Sequence, residues 1–378
     1  MTKIYLDYAA ATPLDPKILK SMKPYLENNF HNPSAIYLAA RDIRHKVEEA
    51  RETVARQLGA KPTEIVFTSG ATESNNLAIH GVMRQFPKGQ ILVSAIEHDS
   101  VLSPASQYNH KIIPVNKQGI VDIAKLAKLI TPKTVLVSVM MVNNELGTVQ
   151  PIREIAKLLN MLSKQRKSSF MPLYFHTDAA QAANLLDLHV SRLGVDLLTL
   201  NGGKIYGPKQ CGSLYIKAGT KLKPQILGGG QENGWRSGTE NPASIIGYAE
   251  ALATAQAKRS QEVKRLQQLR LLFVEQLYSN RPDAVINGSA KHQSPHLISV
   301  TFPGVDNERM VMELDEAGIE TAAGSACAAS DEEPSHVLLA IGLNRAEAQS
   351  TLRFSFGRQT TQGDIDKTIL AIKHLTQH

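Results

Sequence analysis

A two-part α/β fold is predicted by three features of this 378-residue chain. From about residue 62, short apolar runs alternate with helical stretches; the alternation stops near residue 250; beyond it a few strands are spaced by long helices. Alternation of this kind predicts a mainly parallel sheet, with the active site beyond the carboxyl ends of its strands. The later pattern predicts a smaller α+β unit. The expected division is residues 15–250 for the large unit, and 1–14 with 251–378 for the small one.

The elements follow in order. "SAIYLAARDIRHKVEEARETVARQLG" has the apolar period of one long helix. "EIVFTS", "QILVSA", "KIIPV", "TVLVSVM", "PLYFHTD" and "DLLTL" are short, β-branched runs of strand length. Between them, "ATESNNLAIHGVMRQF", "DIAKLAKLI" and "IREIAKLLNMLSKQ" have helical periodicity. A helix over roughly 244–280 leads to "HLISVTF", the helical "DNERMVMELDEAG", a small-residue loop, "TLRFSFG" and a closing helix. The first dozen residues are expected to pack beside the smaller unit.

Composition narrows the class. Apolar residues make up 42% and charged residues 20%, and no apolar run reaches membrane-spanning length. The start "MTKIYLDYAAATPLDP" lacks the apolar core of a signal peptide and reads as mature protein, so a cytoplasmic location is expected. The formal net charge of +7 is scattered; the basic "KLLNMLSKQRK" reads as a solvated helix face, and no direct nucleic-acid contact is expected. Two cysteines far apart, Cys211 and Cys327, do not make a disulfide framework. Cys211, in the strand-like "CGSLYI", reads as a buried hydrophobe. Cys327, in the loop-like "AAGSACAASDEEPS", reads as an exposed, reactive thiol.

The strand ends carry the polar residues. Gly70 turns the chain into a helix starting near Thr72, where backbone N–H groups either cradle a phosphate or form an ordinary cap. "ILVSAIEH" ends at His98, which is a core histidine, a base or a ring-stacking partner. "VLVSVMMVNNELG" ends at Asn143 and Asn144, "LYFHTDAAQ" at Asp178 and Gln181, and "LLTLNGGK" at Lys204. Lys204 follows two glycines but precedes Ile205, so it does not complete a nucleotide-binding P-loop. A lysine amine, a carboxylate and a phosphate cup at one sheet edge are the set that pyridoxal phosphate requires. A metal is the competing use of His98, His176 and Asp178, but no metal-ligand spacing is present and none is expected.

These residues sit in "YLDYAAATPLDP", "NPSA", "EIVFTSGATESNNLAI", "VNNELGTVQPI", "TDAAQ", "GGKIYGPK", "GGGQENGWRSGTEN", "GSACAAS", "EPSHVL" and "LRFSFGR". In this order, nearly end to end, the motifs resemble the cysteine desulfurases, the NifS/IscS-like branch of the class-V aminotransferases. The resemblance implies a type I pyridoxal-phosphate fold working as a homodimer. It implies that Lys204 forms the Schiff base, Asp178 pairs with the pyridine nitrogen, Gln181 bonds the ring hydroxyl, and His98 stacks on the ring and shuttles protons. Ala71, by its backbone, and Thr72 hold the phosphate, and Thr239 reaches it from the other subunit. Asn144 and Arg353 hold the carboxylate of L-cysteine, Arg353 as a bidentate pair; Asn32 lies close by. Cys327 accepts sulfur as a persulfide, destined for iron–sulfur cluster assembly or tRNA thiolation, and L-alanine leaves.

Two departures stand out. The family's Ser-Gly-His before the lysine is here Asn201-Gly202-Gly203, so the amide of Asn201 is expected to stand in for the serine while Gly203 offers no side chain. The sequence also ends soon after the last helix, which leaves an iron–sulfur scaffold protein and a tRNA-thiolation enzyme equally open as sulfur acceptor. The cysteine loop resembles that of the group with the longer, mobile loop. Alternatives from the same site are a selenocysteine lyase or a class-V transaminase, though the latter needs no cysteine. Outside enzymology, the alternative is a cofactor-free sulfur-transfer scaffold.

Overall fold

The computed structural model describes residues 3–167, 171–324 and 334–376. Its centre is a seven-stranded sheet in the spatial order Ile65–Thr68, Gly212–Ile216, Leu197–Asn201, Tyr174–Asp178, Thr134–Ser138, Gln90–Ser94, His110–Ile113. Gly212–Ile216 runs antiparallel to both its neighbours; the other pairings are parallel, so the sheet is mainly parallel as expected. Strands covered on both faces need continuous apolar runs. Gln90–Ser94, Thr134–Ser138 and Gly212–Ile216 are accordingly buried throughout. His110–Ile113 closes one edge and exposes His110, Lys111 and Ile112, with charge that blunts further pairing.

The helices between the strands match the apolar periods, with Ala71–Gln85, Ile123–Leu129 and Ile152–Gln165 each in its expected place. The N-terminal helices differ from expectation. The early long helix spans Leu38–Leu58, so Ser34 to Tyr37 lie outside it. A further helix, Pro16–Glu27, precedes it; Asp15 caps it by accepting from the Lys17 amide, and Pro16 opens it. Pro24 inside that helix hides it from a periodicity reading.

Helix Pro242–Asn280 joins two apolar cores. Its Tyr248, Ala251 and Leu252 pack into the core that lines one face of the large sheet. Its Leu266, Phe273 and Leu277 pack against a second core with Phe302, Phe354 and Phe356. That second core covers an antiparallel sheet of Thr351–Ser355, Leu297–Thr301 and the unexpected short strand Val285–Asn287. The N-terminal Ile4–Tyr5 pairs in parallel with Ile319–Glu320, and Asp7 bridges to Ser355. The first residues therefore run along the C-terminal part of the chain and then cross towards the large sheet.

One buried ion pair ties a long loop to that sheet. Arg51 donates to both carboxylate oxygens of Glu232, at 2.7 and 2.9 Å, and both side chains are almost fully buried. Glu232 also accepts the Phe67 amide at 2.8 Å. Removing one partner strands a charge in a dry site. Glu232→Ala is expected to lower the unfolding free energy by about 3–5 kcal/mol, read from the urea midpoint; a loss below about 1 kcal/mol would mean that Glu48 alone satisfies Arg51.

Candidate active site

The carboxyl ends of the parallel strands open onto a cavity of about 230 Å³ between the large sheet and strand Thr351–Ser355. Ala71, Thr72, His98, Asn144, Asp178, Gln181, Asn201, Lys204 and Arg353 all line it. These nine sequence-predicted residues come from six separate stretches; the order of the large sheet brings eight of them together, and strand Thr351–Ser355 of the second sheet adds Arg353.

At one end, Gly70 adopts φ +132°, a conformation that a side chain would strain, and releases the chain into helix Ala71–Gln85. The first-turn amides of a helix have no carbonyl partner within it and carry its positive dipole end. Those of Ala71 and Thr72 lie at the cavity wall. Asn201 faces the same turn; its Oδ1 accepts from the Gly203 amide at 3.0 Å, which leaves its NH₂ as the donor. A Cβ at Gly203 would meet only ordinary contacts, Lys209 Cγ at 3.5 Å being the nearest.

At the floor, Asp178 is buried with both oxygens engaged. Oδ1 accepts from the Ala180 amide at 2.9 Å and Oδ2 from Asn75 Nδ2 at 2.7 Å. Asn75 also donates to Ser100 Oγ at 2.9 Å, and Ser100 reaches His98 Nδ1 at 2.9 Å. His98 caps helix Asp99–Ser106, its Nδ1 accepting the Ser100 amide at 3.0 Å, so a neutral ring carries its proton on Nε2. Behind it Glu97 is fully buried; burial pushes its carboxyl up to about 8, and the charge of Asp178 adds to the rise.

Lys204 follows strand Leu197–Asn201 through one short turn. Its amine donates to the carbonyls of Ala9 at 2.7 Å and Ala10 at 2.5 Å. Gln181 donates to Ala9 as well, at 2.9 Å, and its Oε1 lies 3.4 Å from His296 Nε2. Across the cavity Arg353 donates Nη1 to the backbone carbonyl of Asn144 at 3.0 Å and Nη2 to Asp7 Oδ1 at 2.6 Å. Its Nε is buried and has no partner among the described residues.

Other sequence-predicted residues fall elsewhere. Asn143 is fully buried and spent on its own turn, accepting the amides of Glu145 and Leu146 and donating to Ile96 O. Asn32 and Thr239 are exposed and do not line the cavity. Asn32 is occupied by the Ser34 amide. His176 is a core residue between Ser138 Oγ at 2.8 Å and Thr199 Oγ1 at 3.1 Å, and burial lowers its pKa to about 3. Cys211 is 2% exposed, and burial pushes its thiol up to about 12, as its reading as a core residue requires. Cys327 lies outside the described residues. Asn75, Ser100 and Asp7 were missed, because a lone polar residue inside a helix or beside a strand has no spacing that marks it.

This donor set fits pyridoxal phosphate. An amine, a buried carboxylate with both oxygens held by neutral donors, a helix amino end and a buried guanidinium with an unused N–H share one cavity. No simple apolar ligand would call for such a set.

Comparison with known proteins agrees. The family model described as aminotransferase class-V matches residues 4–368. The chain is 41% identical over 382 aligned residues to a protein of Dictyoglomus turgidum named cysteine desulfurase IscS, an alignment covering 99% of this chain and 95% of the other. A solved NifS-like protein superposes with a TM-score of 0.91 at 31% identity, covering 99% of each chain. A structure described as SspA in complex with cysteine superposes with a TM-score of 0.81 at 36% identity, covering 94% of this chain and 99% of that one. The chain belongs to the class-V aminotransferase family of pyridoxal-phosphate enzymes, among its cysteine desulfurases.

Proposed function

We infer that the chain is a cysteine desulfurase, which with pyridoxal phosphate converts L-cysteine to L-alanine and leaves the sulfur on the enzyme as a persulfide. The convergence of Lys204, Asp178, His98 and Arg353 on one cavity carries the reading. The relative solved with cysteine supports L-cysteine as substrate.

Ala71, Thr72 and Asn201 would hold the phosphate, Asp178 the ring nitrogen and Gln181 the ring hydroxyl, and Lys204 would carry the covalent attachment. Pyridoxal phosphate supplies the electron sink that weakens the bonds at the substrate's Cα and Cβ. The protein's residues do the rest. Asn75 and Ala180 donate to the Asp178 carboxylate and fix where it would meet the ring nitrogen. His98 covers the ring. Asn144 and Arg353 hold the substrate carboxylate. The amine of Lys204 would serve as the base that takes the substrate's Cα proton. The Cys327 thiolate bonds to the substrate sulfur as the Cβ–S bond breaks, the electron pair of that bond staying with carbon. Proton return to carbon completes L-alanine. Burial keeps Cys211 out of this step, since only a thiolate attacks.

The wider reading is a cytoplasmic homodimer in which Thr239 reaches the partner's phosphate and Asn32 lies near the substrate. The large unit would span 15–250 and the small one 1–14 with 251–378. Persulfide sulfur would pass to an iron–sulfur scaffold or a tRNA-thiolation enzyme. The exposure of Thr239 and Asn32 on the single chain supports roles across a subunit boundary. Among the described residues no helix is long and apolar enough to cross a membrane.

Four outcomes test this. Borohydride treatment followed by peptide mass mapping should find pyridoxal phosphate on Lys204, and Lys204→Ala should abolish it. Cys327→Ser should keep the cofactor but form neither alanine nor sulfide, while Cys211→Ser stays active; an essential Cys211 with a dispensable Cys327 would sink the assignment. The pair Asn201→Ser with Gly203→His should slow cofactor loss on dialysis by about tenfold or more, since one charge-assisted hydrogen bond is worth roughly 1.5–3 kcal/mol. Unchanged loss would show that other groups already satisfy the phosphate. Thr239→Ala should loosen the cofactor while light scattering still reports a dimer; a monomer of full activity would refute the shared site.

A further inference from the structure

Arg353 is more tightly held than a residue waiting for a ligand needs to be. Its backbone is fixed on both sides: its amide donates to Ala322 O at 2.7 Å and its carbonyl accepts from Thr321 Oγ1 at 2.7 Å. Its guanidinium is fixed at two of three nitrogens, Nη2 on Asp7 and Nη1 on Asn144 O. The third, Nε, is buried and has no acceptor among the described residues. The side chain is 3% exposed and that of Asp7 18%.

A buried guanidinium without a counter-charge is strongly destabilised, and a mobile one would lose orientation entropy on each binding event. Asp7 answers both demands. It neutralises Arg353 before substrate arrives, and together with Asn144 O it fixes the plane of the fork and so the direction of the remaining Nη N–H groups. We propose that Asp7 is a positioning residue for substrate recognition: by locking Arg353 it makes the site select an α-carboxylate through a directed hydrogen bond rather than through net positive charge. The inference rests on the desulfurase reading and deepens it. Each Nη keeps a second N–H beyond its present partner, so the locked fork still has donors for a carboxylate.

The contrary view is that the ion pair only fastens the N-terminal segment. The two views separate with ligands that differ by the carboxylate alone. L-Alanine and ethylamine are each titrated into the pyridoxal-phosphate-loaded enzyme and followed by absorbance. Asp7→Ala is expected to weaken L-alanine at least about tenfold and to leave ethylamine within about twofold. KM for L-cysteine should rise far more than kcat falls. Asp7→Glu keeps the charge but moves it by one methylene; it should also weaken L-alanine selectively, and it decides the matter alone if the alanine variant misfolds. Ser355→Ala is the control, because Ser355 Oγ holds the same segment through the Ala9 amide at 2.9 Å without touching Arg353. It should leave the ratio of the two affinities unchanged. Asp7 variants that weaken both ligands equally, or neither, would overturn the proposal. A wild type that responds to neither ligand would overturn the desulfurase reading and this one with it, whereas a responsive wild type matched by its variants overturns only the role of Asp7.

Discussion

The site depends on one short segment, Asp7 to Thr12, which turns at the carboxyl edge of the sheet as the amides of Ala10 and Ala11 donate to Asp7 O. The carbonyl of Ala9 accepts from both Lys204 and Gln181, and that of Ala10 from Lys204. Asp7 holds Arg353. Thr12 donates to Gly203 O and accepts the Tyr206 amide. A chain segment can act as a template this way only if its own side chains stay clear of the residues it serves. Ala9, Ala10 and Ala11 meet that requirement, which gives "DYAAAT" a physical reason.

The far side of the cavity is organised by buried charge. Asp178 sits where a carboxylate is costly, and the amides of Asn75 and Ala180 offset that cost. Through Asn75 and Ser100 the same network reaches His98. Asp178 and His98 are thus oriented by shared side chains, so neither is free to move alone. Glu97, pushed up to about 8 by burial, avoids adding a second negative charge beside Asp178 near neutral pH.

The end of the cavity at helix Ala71–Gln85 is the least conventional part. The helix presents its amino end there, but Asn201 spends its side-chain carbonyl on Gly203, and Gly203 adds no side chain. The loop carrying Arg236 is fastened to the same helix turn through Glu73 at 2.9 Å and to the sheet through Arg51 and Glu232. That loop ends beside Thr239, so its attachment sets where this exposed residue lies.

The sequence alone determined the α/β plan, because strands buried on both faces must be written as short apolar runs and helices as a 3.6-residue period. It also determined most of the cavity: residues at strand ends share one sheet edge whatever the loops do, so Thr72, His98, Asn144, Asp178, Gln181 and Lys204 could be placed before any coordinates. Tertiary structure decided what depends on distance between segments far apart in sequence. It turned Asn143 inward and gave Asn75 to Asp178, more than a hundred positions away. It left Asn32 and Thr239 on the surface. It paired Asp7 with Arg353 across 346 positions. No local pattern encodes such partners, since a hydrogen bond between side chains is fixed by where two backbones meet, and the packing of the whole chain sets that.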